Sequence, residues 1–131
     1  MKAPGLIIAT AALAFTGVPA MSADRAEENE ARLAKMLEGR TAGEPVTCIS
    51  AYNGRGLEVI EGVGLVYKAG DTIYVARPTT SGSLGANDVV VINRFGGQLC
   101  HTDVVRTVDR QGGYTTGVLF LEKWVPYSKR D

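Results

Sequence analysis

The chain has little of what most catalytic and metal centres are built from. Its 131 residues hold 1 His, 2 Cys and 1 Trp. One imidazole excludes His-rich metal sites, and two cysteines cannot build a four-cysteine zinc ribbon or a multi-disulfide scaffold. Charge of either sign is not in excess, because 14 Lys and Arg balance 14 Asp and Glu. No basic stripe follows from that balance, so no nucleic-acid partner is expected. The glycines form only the G-x-G pairs Gly54/Gly56 and Gly62/Gly64, without a dinucleotide fingerprint or a P-loop. HExxH, EF-hand and CxxCH patterns are missing too. No cofactor and no metal are therefore expected.

What is present is a globular composition, 45% hydrophobic with 16 Gly, at a length that suits one domain. The start differs from the rest. Lys2 is the only charge before Asp24, and an apolar run, LIIATAALAFTGV, fills residues 6–18. Small residues follow it. A charged start, a short apolar run and a small-x-small site read as a secretory signal peptide over residues 1–20. Cleavage after Ala20 places Val18 and Ala20 at the key positions, with Ala23 as the later alternative. The run is shorter than the ~20 apolar residues that span a bilayer, so no stable membrane insertion is expected after cleavage. A retained anchor is the other reading.

Residues 24–39 (DRAEENEARLAKMLEG) are rich in strong helix formers, with acids crowded at the start where the helix dipole favours them. Leu33, Met36 and Leu37 make a short apolar stripe at i, i+3 and i+4. The first two turns are expected to be solvated, and residues 40–44 to be a linker. From Pro45 the pattern changes to short β-rich runs separated by Gly, Asn and Asp. Strands are expected at 46–51, 57–60, 63–68, 72–77, 88–93, 104–108 and 116–122. The turn Lys68-Ala69-Gly70-Asp71 is the strongest hairpin signal. Residues 89–92 and 118–121 are apolar on both faces, which predicts central, doubly covered strands. The fold class is mainly β: a small antiparallel barrel or sandwich of about seven strands over 45–127. One N-terminal helix crosses an open end, and residues 128–131 form a frayed tail.

Cys48 and Cys100 most simply form one disulfide in an exported protein; a redox pair, a metal site and free thiols are the alternatives. Absence of CxxC spacing weakens the redox reading. His101 is the only residue on which imidazole chemistry could rest. On a strand, Asp103 at i+2 would share its face and could orient the ring. A tight turn over 99–103 would dissolve that pair. A Ser–His–Asp triad would draw on Ser50, Ser81, Ser83 or Ser128, yet none lies in G-x-S-x-G. Asp88, Asp103 and Asp109 have Arg77, Arg94, Arg106 and Arg110 as expected surface partners. Trp124 is expected to plug the core, with an aromatic ligand platform as the alternative. The loop 78–87 (PTTSGSLGAN) is the longest polar stretch and a candidate binding loop.

The signal peptide, the LAKMLEGR helix end, Val46-Thr47-Cys48-Ile49-Ser50, Gln98-Leu99-Cys100 with Asp103, and the closing Val125-Pro126-Tyr127 together resemble a family of small exported bacterial proteins that has no assigned activity. The resemblance implies export and paired cysteines, and it carries no catalytic residue. The expected function is a periplasmic or secreted, non-enzymatic binding or structural module of the cell envelope. Its expected partner is an envelope protein or a glycan. An inhibitor of an exported hydrolase, acting through the 78–87 loop, and a small hydrolase using His101 are the alternatives.

Overall fold

A computed structural model describes residues 21–52, 56–80, 84, 85, 87–93 and 96–130. The expected signal peptide, Ser81, Ser83 and Arg94 lie outside the described residues. One helix, α1 (Met21–Met36), precedes ten strands. They are β1 (Arg40–Ala42), β2 (Cys48–Ser50), β3 (Leu57–Ile60), β4 (Gly64–Ala69), β5 (Thr72–Ala76), β6 (Asp88–Asn93), β7 (Gln98–Cys100), β8 (Val104–Asp109), β9 (Thr115–Leu119) and β10 (Val125–Lys129).

The strands make a five-stranded sheet in the order β1-β10-β5-β4-β3, a three-stranded sheet β6-β8-β9 and a ribbon β2-β7, all antiparallel. The architecture is mainly β and sandwich-like, without a closed barrel. Alternation along β4 and β5 builds two cores from one sheet. Leu65, Tyr67 and Ala76 face a larger core with Ile49, Leu99, Val105, Leu119 and Trp124. Val66, Ile73 and Val75 face the other way, into a smaller core with Leu33, Ile60 and Val63. The helix therefore lies on a face of the five-stranded sheet, not across an open end. A one-residue slip of β4 would exchange the two cores, which fixes its register.

Leu33 anchors α1, with Met36 and Leu37 at its margin. Its earlier turns are tied down more firmly than the apolar stripe predicts. The Asn29 side-chain amide donates to the Glu61 carbonyl at 2.8 Å. Glu30 pairs with Arg77 at 2.5 Å, and Arg32 pairs with Glu58. The Glu30 hydrogen bond raises the Arg77 pKa further above its ordinary value, against the opposing effect of burial. Polar groups thus do in the third turn and the start of the fourth what the stripe does at the end.

The β4–β5 hairpin closes at Gly70-Asp71, since Ala69 pairs with Thr72. Gly70 takes φ +59°, as the first central position of a type II′ turn requires. Gly64, at φ +152°, lies against the Ala76 carbonyl so closely that a Cβ would collide with it. Glycine is required there by the neighbouring strand.

Several of the expected strand assignments change. Residues 40–42, read as linker, are β1, and Ser128 and Lys129, read as frayed tail, pair with Thr41 and Arg40. β7 and β10 were also absent from the expected strands. Each segment is short, so its pattern carries no period; backbone pairing to a neighbour makes it a strand. Two bridges then sew the layers together. Val46 and Trp124 exchange backbone hydrogen bonds at 2.7 and 2.9 Å, and Pro78 pairs with Leu121.

Candidate functional site

The disulfide sits where β2 meets β7. Cys48 and Cys100 stand directly opposite in register and are bonded, with Cα atoms 3.9 Å apart. Both are half-buried. The bridge closes 52 residues of chain and holds the ribbon to the larger core through Ile49 and Leu99.

Immediately after Cys100 the chain turns. The Asp103 amide donates to the Cys100 carbonyl at 3.0 Å, and the Cys100 amide donates back to Asp103 Oδ2 at 2.7 Å. This reciprocal turn uses the Asp103 carboxylate on backbone, so it does not orient His101. The His101 ring instead places Nδ1 3.3 Å from the Leu121 carbonyl. Of the two local geometries open to the sequence, the tight turn is the one adopted.

The other aspartates behave the same way. Asp109 Oδ1 accepts from the amides of Gln111 and Gly112 at 2.9 and 2.6 Å. Asp88 accepts from the Gly85 amide and from the Thr116 hydroxyl, both at 2.9 Å. None of these three is in an ion pair among the described residues, where surface pairing with arginines was expected. Short carboxylates beside glycine-rich turns meet backbone N–H groups before they can reach an arginine.

Trp124 is fully buried in the larger core, and its Nε1 meets no acceptor among the described residues. It plugs the core and offers no ligand platform. The loop 78–87 is not a free tether either. Leu84 is buried in the larger core and its carbonyl accepts from the Gly62 amide at 3.2 Å.

The distinctive surface lies on the three-stranded sheet. Val105, Thr107 and Leu119 point inward. Their neighbours point out: Val104, Arg106 and Val108 on β8, Val118 on β9, Val89 and Val91 on β6. Phe120 continues the β9 alternation. Phe120 is 70% exposed, Val104 53% and Val118 51%. The expectation that 89–92 and 118–121 are covered on both faces is thus corrected: β6 and β9 are the outer strands of a sheet with one face uncovered by any described residue. A run apolar on both faces signals two apolar contacts, and here only the inner one is made within the chain.

At one end of this face an open groove of about 430 Å³ runs between the turn His101–Val104 and Val118–Leu121. Its lining is mostly apolar, with Val104 and Phe120 on its walls and His101, Thr102 and Thr79 at its rim. In the middle of the face stands Arg106, directly opposite Val91 on one side and Val118 on the other. Arg106 is half-buried, and its Nε is buried without an acceptor among the described residues.

No group of three or more His, Cys, Asp and Glu side chains among the described residues could hold a metal ion. No helix among them is long and apolar enough to cross a membrane. No family model, curated protein or solved structure matches the chain.

The sequence did not single out Val104, Arg106, Val118 or Phe120 as functional. One signal was available: an arginine flanked by valines in a strand (VVRTV) breaks the apolar run at an alternate position.

Proposed function

We propose that this protein is an exported, disulfide-stapled binding module whose working surface is the outer face of the β6-β8-β9 sheet. One observation carries the reading: Phe120, Val104 and Val118 are more than half exposed on one continuous face that opens into the His101 groove. Single exposed apolar residues need no explanation, but a contiguous patch beside a groove marks an interaction surface. The bonded cysteines suit an oxidising compartment, which supports a periplasmic or secreted setting. A non-enzymatic role is favoured because Asp103 is engaged by the Cys100 amide and leaves His101 without an orienting carboxylate.

The test is photo-crosslinking in the native envelope from a reactive residue placed at position 120, with the exposed helix position 35 as the control. A discrete adduct from 120 alone, lost in Val104→Thr/Val118→Thr, is expected. Identical adducts from both positions, or none from 120, would contradict the reading.

A further inference from the structure

The apolar face carries one charged group at its centre, and that group constrains what can cover it. Arg106 stands directly opposite Val91 and Val118, with Val104 and Val108 next to it along the same face of its own strand, and among the described residues no carboxylate pairs with it. A guanidinium cannot shed its charge, and a buried N–H without an acceptor is costly. Covering the face with a purely apolar partner would bury the rest of the guanidinium unpaired and raise that cost. Covering it with a partner that brings a carboxylate would satisfy the donors in a bidentate, charge-assisted contact and remove it.

The size of the face limits the partner further. Three strands about 4.8 Å apart, each about six residues long at about 3.3 Å per residue, span about 300 Å². A stable interface between folded proteins buries about 800 Å² on each side. A second copy of this chain packed face to face would fall short of that and would bring two Arg106 side chains together near the symmetry axis. A short extended segment matches the area, and its own alternation would set apolar side chains against the valines and Phe120 with a carboxylate between them.

We infer that the outer face of the β6-β8-β9 sheet binds a short extended segment of another protein, in which an Asp or Glu flanked by apolar side chains pairs with Arg106. This inference rests on the binding-module reading and names its partner. The apolar groove receives the end of the segment nearest Phe120, while Arg106 sets its register.

The experiment uses synthetic peptides of alternating Val and Thr with a single central Asp, Asn or Lys, titrated into the whole protein and followed by fluorescence anisotropy. The Asp peptide is expected to bind roughly tenfold tighter than the Asn peptide, and the Lys peptide weakest. In Arg106→Gln the Asp and Asn peptides should bind alike, and in Arg106→Lys part of the preference should return. Unchanged thermal unfolding of both variants guards against a loss of fold. Equal binding of the Asp and Asn peptides to the native protein, with both lost in Phe120→Ser, would overturn the carboxylate pairing and leave the binding face standing. Absence of binding by all three peptides would overturn the extended-segment inference, with the crosslinking result then judging the binding-module reading separately. A dimer in sedimentation that dissociates in Phe120→Ser would overturn it in favour of a second copy.

Discussion

The Asp103 carboxylate accepts the amide of the disulfide residue Cys100 at 2.7 Å, turned to backbone instead of His101. A pairing that looks catalytic in one dimension is a turn cap in three. Asp103→Ala leaves that amide without its acceptor and should cost about 1 kcal/mol. Asp103→Asn keeps an acceptor oxygen and should cost less. Urea unfolding of both variants measures the difference, and a larger loss for Asn than for Ala would contradict the cap.

The disulfide closes a loop of 52 residues between directly opposed strand positions. Chain-entropy reasoning gives about 4 kcal/mol for such a loop, as an upper figure. Cys48→Ala/Cys100→Ala should lose up to that amount, and reduction of the native protein should lose a similar amount. Denaturant unfolding with and without reductant checks both. Stability unaffected by reductant would contradict a structural bridge.

Among the described residues, Leu33 is the one helix side chain fully buried in the smaller core. Leu33→Ala should cost about 2–5 kcal/mol. Asn29→Ala removes the bond to the Glu61 carbonyl and should cost about 1 kcal/mol. Arg77→Gln breaks an exposed ion pair worth about 0–1 kcal/mol. Thermal unfolding of the three should rank them in that order.

Leu84 is packed into the larger core. Deleting residues 81–85 should lower the melting temperature, and Leu84→Ala alone should cost about 2–5 kcal/mol. A deletion variant that melts like the native protein would show that Leu84 is dispensable to the packing.

Much of the fold could be read from the chain because β-branched and apolar runs are bounded by turn residues. β3 and β6 have the expected bounds, and the Gly70-Asp71 turn has the expected chemistry. β1, β7 and β10 could not be read, since pieces of three to five residues are too short to carry a period and become strand only through a partner. The working face was hidden for a different reason. Val118 and Phe120 look like core in sequence, and hydropathy does not say which side of a strand the chain itself covers. His101 and Asp103 showed the converse: a spacing compatible with chemistry was spent on a turn.

The most direct test of the central claim, that the outer face of β6-β8-β9 is a binding surface, is amide chemical-shift mapping of the whole protein titrated with the peptide carrying the central Asp. Shifts should concentrate in residues 88–93, 104–109 and 115–121, with the helix and the β3–β4 hairpin unmoved. Shifts confined to the helix side, or spread evenly over the molecule, would contradict it.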